Sequence, residues 1–455
     1  NIITRDADEP FSADFKVGRG SFSTFVSTAR AAGRKGGFFG ALSADYRRSD
    51  GHVGHSDYRG KDFHLKGGVD ISSNFKLTMS AKYFDGYKAE PLRITDFPEM
   101  TADTWNDYAR GGVDLRLNGR VASSDIEALY YRNFGEHKFS DGFHSKDATD
   151  GFNVHLAARP ISFLSLKGGI DYTYQQGKSL SEPVGNWNKW EAGAYLLTEM
   201  NAGERVVFSG GTRYDRDKVS GSMLLPSAGI LVHPLKETTL RAFVSRGFRT
   251  PQISELYMYP VSNERLKAET ILDYEVGVRQ KIHEKAFFDL SLFRMDGKNL
   301  IKVCKNESPP PMFIFENAQS FRFDGIETLL DIIPCRFLES SISYTYLDVG
   351  DLTRGRPGRK LDVSVTLKYN HAMMRISGSY VGDYYADDYH MDRIDSYNVL
   401  DLYSEARLFK GAAVYFGVDN LLNADYSVYA DIPGGIAGLY KMPGRSFMMG
   451  VKYSY

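Results

Sequence analysis

The stretch Met442-Pro443-Gly444-Arg445-Ser446-Phe447-Met448-Met449-Gly450-Val451-Lys452-Tyr453-Ser454-Tyr455 decides the fold. From Ser446 onward the residues alternate. Phe447, Met449, Val451, Tyr453 and Tyr455 share one face, and Ser446, Met448, Gly450, Lys452 and Ser454 share the other. A period of two is what a β-strand imposes on its side chains. An aromatic, apolar face backed by a small, polar one suits a strand with lipid on one side and a polar lumen on the other. Such a strand cannot stand alone, because an open sheet edge cannot be left in hydrocarbon. The rest of the chain is therefore expected to close a barrel with it.

The alternation recurs along the chain. Leu77, Met79, Ala81 and Tyr83 are set outward against Thr78, Ser80 and Lys82. Leu166, Gly168, Ile170, Tyr172 and Tyr174 are set outward against Lys167, Gly169, Asp171, Thr173 and Gln175. Between Arg205 and Asp215 the outward set is Val206, Phe208, Gly210, Thr212 and Tyr214. Val363 to Tyr369 repeats the pattern, and Leu400 to Leu408 repeats it with Asp401, Glu405 and Arg407 inward. Charges are costly in a dry sandwich core and tolerable against an aqueous or plugged lumen. The reading gives an all-β fold: a transmembrane antiparallel β-barrel of about 22 strands.

Connection lengths alternate as well. Short turns are expected at Ala32 to Gly36, Ser72 to Asn74, Asn118 to Val121, Pro160 to Phe163, Pro334 to Phe337 and Phe409 to Gly411, among others. Long loops are expected between them, including Arg47 to Tyr58, Asp85 to Trp105, Asn133 to Gly151, Gln176 to Trp187, Gly247 to Thr270, Lys298 to Ala318, Asp383 to Ser396 and Leu421 to Pro443. The first connection, Arg19 to Phe22, and the sixth, Asp215 to Met223, are the exceptions. Short turns on the periplasmic side and long loops outside are the asymmetry of an outer-membrane barrel.

Composition agrees. Aromatics make up 13% of the 455 residues, with 29 Tyr, 29 Phe and 44 Gly, while no apolar run approaches the length of a membrane-spanning helix. The net charge of −1 suggests no nucleic-acid partner. The two cysteines, Cys304 and Cys335, fall at opposite ends of the expected barrel and are expected to be unpaired. No Walker loop, HExxH or nucleophile elbow occurs, so no enzyme is expected.

Several motifs resemble one known family. Ser245-Arg246-Gly247-Phe248-Arg249-Thr250-Pro251, followed by Ser254-Glu255-Leu256-Tyr257, is similar to the central signature of the TonB-dependent outer-membrane receptors. Asn263 to Glu269 with Tyr274-Glu275-Val276-Gly277 resembles a second signature, and Gly417 to Asn423, Asp425-Tyr426 and Pro443-Gly444-Arg445 resemble the family's closing one. Asn1 to Arg5 is similar to the last strand of the family's plug domain. On this reading residues 1–10 are the end of a plug or linker and residues 11–455 the barrel. The resemblance implies active uptake of a scarce, large nutrient through TonB: a ferric siderophore or similar iron chelate first, cobalamin next, haem less so. It also implies a monomer in outer-membrane lipid whose partners are a plug, through it TonB, and a small-molecule metal chelate. A passive porin-like or structural barrel is the alternative.

Candidate site residues follow from chemistry and position. Trp187, Trp190, Tyr257, Tyr259, Tyr384 and Tyr385 fall in or beside the expected outer loops, where rings can stack on a planar ligand or pack in an aromatic girdle. Arg246 and Arg249 lie in the central signature and are candidates for plug contact. His52 and His55 with nearby carboxylates are candidate metal ligands. Asp387 and Asp388, between Asp383 and Asp392, would suit a loop-ordering calcium ion, set against plain solvation with no cofactor. Pro309-Pro310-Pro311 reads as a stiff spacer.

Overall fold

The computed structural model describes residues 7–94, 104–259, 261–306, 313–317, 320–430 and 438–455. Asn1 to Arg5 and the Pro309–Pro311 spacer lie outside them. One 22-stranded antiparallel sheet runs through the molecule, each strand hydrogen-bonded to the next in sequence. The first strand, Ser12–Gly20, pairs with both the second, Phe25–Lys35, and the last, Ser446–Ser454, so the sheet closes. Across that seam Val17 faces Val451 and Gly18 faces Gly450.

The alternation sorts the faces as the sequence requires. Leu65, Ile170, Met449 and Val451 are each more than half exposed on the outer surface. Inward positions carry ion pairs: Arg213 with Asp171 at 2.6 Å and Asp215 at 2.5 Å, Arg241 with Glu275 at 2.8 Å, and Lys452 with Glu405 at 2.5 Å. Charges that would be stranded in lipid are thus paired along the lumen wall.

All ten connections at one end are short, from two residues at 36–37 to four at 71–74. The opposite end carries the seventh loop (250–268), the eighth (299–320), the ninth (349–358), the tenth (382–396) and the eleventh (420–445). The first and sixth loops are short, as expected, at 21–24 and 218–220. Two further loops are much shorter than the sequence suggested. Strands Ser124–Phe139 and His144–Ile161 leave only 140–143 between them, and Leu164–Ser179 and Gly185–Ala202 leave only 180–184. The Gly, Asp and Asn content of Asn133 to Gly151 and Gln176 to Trp187 suggested loop. Instead the ladder runs on through polar cross-strand pairs such as Glu136↔Lys146 and Gln176↔Asn188.

Cys304 lies in a hairpin of the eighth loop (Ile301–Lys305 with Phe313–Asn317), and Cys335 lies at the short-turn end. Both thiols are free.

Candidate functional site

The barrel mouth is organised by one guanidinium. Strand Thr238–Arg249 carries Arg249 inward at its upper end. Its Nε and Nη2 donate to the Glu269 carboxylate at 2.7 and 2.9 Å, and its Nη1 donates to Glu255 at 2.9 and 3.0 Å. Glu269 opens the next strand, so a single side chain ties both ends of the seventh loop. The carboxylates are shared further, Glu255 accepting the Gln252 amide at 2.7 Å and Glu269 the Ile301 amide at 2.6 Å. Beneath them the buried Lys189 ammonium donates to Thr250 Oγ1 at 2.7 Å and to the Pro251 carbonyl at 2.8 Å.

The loop so tied folds into a π-helical turn, Ser254–Met258, that sinks Leu256 to 1% exposure. Leu256, Leu266, Ile301 and Phe315 form a small core that joins the seventh loop to the eighth. Apolar burial of this kind fixes a loop more firmly than hydrogen bonds that water can replace.

Around this anchor the inner wall is aromatic. Phe84 stacks on Tyr108 at 5.4 Å, Tyr108 meets His137 at 5.6 Å, and His137 meets Phe139 at 5.9 Å. Phe139 meets Phe143 at 5.8 Å, and Phe143 meets Tyr259 at 5.4 Å. Beside this chain Trp187 and Tyr257 lie parallel, 6.0 Å apart with 1° between planes. Burial raises the Tyr257 and Tyr259 phenols above their usual range, so both stay neutral. Arg110, on the same wall, is held by Asp147 at 3.3 Å. The mouth thus sets flat π-faces beside charges that are already paired, and such faces offer stacking surface to a planar ring.

Comparison with known proteins decides what kind of mouth this is. Residues 4–421 match the family model described as TonB dependent receptor-like, beta-barrel. The chain belongs to the TonB-dependent receptor family. A curated relative, the ferric enterobactin receptor of Pseudomonas aeruginosa, is 25% identical over 305 residues, which is 55% of this chain and 40% of that receptor. The chain thus aligns with less than half the length of that relative. Among solved structures, the siderophore receptor PirA of Pseudomonas aeruginosa superposes with TM-score 0.82 at 15% identity, covering 100% of this chain and 82% of that one. The FrpB iron transporter of Neisseria meningitidis gives 0.84 at 16%, covering 99% and 83%.

Set in this TonB-dependent receptor barrel, the residues singled out from sequence separate. Trp187 and Tyr257 come together on the inner face, and Tyr259 joins the aromatic wall. Trp190 does not join them. It is in register with Tyr174 on the outward parity, one residue out of phase with the inward Lys189. Arg246 likewise points outward, its Nη1 donating to the Leu224 carbonyl at 3.4 Å, so it faces away from anything in the lumen. Arg249 faces inward, and Glu255 of the seventh loop and Glu269 of the next strand occupy its fork.

Tyr384 is 7% exposed, packed with Val381, Ala386 and Ile394 in a second loop core, whereas Tyr385 meets His390 at 4.5 Å in a tilted contact. Asp387 caps the turn of the tenth loop, accepting the amides of Tyr389 at 2.5 Å and Asp392 at 2.6 Å. Asp388 pairs with Lys302 of the eighth loop at 3.2 Å and accepts the Arg354 amide at 3.0 Å. His52 contacts the Lys441 carbonyl at 2.7 Å, and His55 is exposed in a left-handed turn. Among the described residues no three His, Cys, Asp or Glu side chains converge as a metal site. Asp387 thus caps a turn, and Asp388 docks the tenth loop on the eighth and ninth.

Sequence reading missed Phe84, Tyr108, His137, Phe139 and Phe143. The signal was present for the first four, because each keeps the inward parity of its strand, while Phe143 lies in the short loop that follows. Assigning Asn133 to Gly151 to a loop hid three of them.

Proposed function

We propose that this chain is the barrel of an outer-membrane receptor that takes up a ferric siderophore or similar iron chelate, with TonB supplying the energy through a lumen-filling plug. The loop end faces the medium and the short turns face the periplasm. The aromatic inner wall, running from Phe84 to Tyr259 beside the Trp187–Tyr257 stack, carries this reading. A passive pore for small solutes gains nothing from a continuous row of π-faces at its mouth. An aryl iron chelate gains stacking area and loses water there, each aromatic contact contributing roughly 0.5–1.5 kcal/mol beyond burial. Membership of a family whose relatives include a ferric enterobactin receptor supports the same cargo.

The binding step is tested by titrating the purified protein with a ferric catecholate chelate and following tryptophan fluorescence. Trp187→Phe is expected to remove most of the quenching, and Tyr257→Ala to weaken binding about tenfold, the equivalent of about 1.4 kcal/mol. Trp190→Phe is expected to change neither. Equal quenching in the Trp187 and Trp190 variants would refute the assignment.

A further inference from the structure

The outer wall carries a second site. Strands Ser124–Phe139, His144–Ile161 and Leu164–Ser179 run past the lipid-facing band of Leu156, Phe152, Ile170 and Tyr172, all outward and well exposed. From Phe152 up to Lys146 is six residues, roughly 20 Å along the strand. Outward positions there are no longer apolar. Lys146 stands directly opposite Lys178, and Lys138 directly opposite His144. Like charges placed opposite one another on one face destabilise a sheet. One carboxylate serves this group: Glu136 lies 2.8 Å from His144, 3.3 Å from Lys146 and 3.5 Å from Lys138. Lys178 has no carboxylate partner among the described residues, and it is exposed, as are Lys138 and Lys146.

One glutamate shared by Lys138, Lys146 and His144, with Lys178 beside them and, among the described residues, unpaired, leaves a local positive excess on a chain whose net charge is −1. The excess sits on the loop side of the apolar band, beyond the outward Arg132–Asp150 pair, on the side where lipid headgroups lie against a spanning barrel. We propose that Lys138, Lys146 and Lys178 form a docking site for the phosphate of an outer-leaflet phosphorylated lipid headgroup. Its phosphate oxygens supply the negative charge that the opposed lysines lack, and its acyl chains lie against Phe152 and Tyr172 below. The proposal rests on the barrel spanning a bilayer and is independent of the cargo.

Native mass spectrometry of the detergent-purified protein tests it, with diphosphorylated lipid A as probe and phosphatidylethanolamine and inorganic phosphate as comparators. Each lysine near an anionic lipid contributes about 1 kcal/mol, a factor of roughly 5. Lys146→Gln with Lys178→Gln is therefore expected to weaken lipid A retention about 25-fold. The lumen-facing Lys82→Gln is expected to leave it unchanged, and heat-modifiable gel migration would show each variant to be a closed barrel. Undiminished lipid A retention in the folded double variant would overturn the site. Equal retention of phosphatidylethanolamine, or displacement of lipid A by an equal concentration of inorganic phosphate, would overturn a lipid phosphate as its ligand.

Discussion

Arg249 shows how much of a motif's meaning lies in what it touches. Its neighbours Thr250, Pro251 and Glu255 and the distant Glu269 meet in one knot, which the spacing of the signatures conceals. A charge-assisted hydrogen bond contributes about 1.5–3 kcal/mol, and the fork is partly solvated. Arg249→Ala is expected to make opening of the seventh loop easier by about 2 kcal/mol, or roughly 30-fold. Amide exchange at Leu256 measures this, while the short-turn end of the barrel should exchange as before. Unchanged exchange at Leu256 would mean that the small apolar core alone holds the loop. Residue types drew attention to Trp187, Tyr257 and Tyr259, which the fold brings to the inner face of the mouth. They could not separate Trp187 from Trp190, because that depends on strand phase, and the strand had been cut short at Trp187.

At the scale of the elements, side-chain caps fix where the loops leave and rejoin the wall. Asn420, 3% exposed and in the left-handed region at φ 50°, donates its side-chain amide to the Ala424 and Pro443 carbonyls, while Arg445 Nε donates to the Leu421 carbonyl. The closing signature is therefore a clasp that fixes where the eleventh loop leaves and rejoins the wall. The tenth loop depends on Asp387 in a similar way. Burial works against its ionised form, but the amides of Asp392, Met391 and Tyr389 outweigh it and hold the carboxyl below the usual aspartate range. A lowered folded pKa contributes stability above the unfolded value, about 3.9, and that contribution is lost as the pH falls through the folded value. Protection of the Met391 and Asp392 amides, corrected for intrinsic rates, is expected to fall only below about pH 4. Asp387→Asn should show the same loss at neutral pH. Protection independent of both would place the cap elsewhere. Loop lengths were less legible, since Gly and Asp mark turns in sequence whether or not a polar ladder continues through them.

For the molecule as a whole, closure was implied by one strand and rests on one seam. At Gly18 and Gly450 the Tyr415 ring covers the inner face, flanked by Lys16 at 4.9 Å and Lys452 at 5.2 Å from its centroid. A Cβ on Gly450 would overlap the backbone carbonyl of Val17, whereas a Cβ on Gly18 would meet the Tyr415 hydroxyl, the end of a side chain that can shift, with the nearest backbone atom, the Met449 carbonyl oxygen, at 3.2 Å. Gly450→Ala is thus expected to destabilise the barrel by about 2–3 kcal/mol, as overpacking does, and Gly18→Ala by less. The temperature at which the heat-modifiable band shifts on a gel reads the order of the two, and a reversed order would contradict the seam geometry. Cargo was not legible at this scale, because it depends on loops whose contacts follow no periodic rule. The most direct test is uptake of a labelled ferric catecholate chelate by cells that lack their own receptors and express this gene with its native upstream sequence. The account predicts saturable uptake that disappears when TonB is deleted and is weakened by Tyr257→Ala. Uptake that is unsaturable and indifferent to TonB would make the barrel a passive pore and contradict the account.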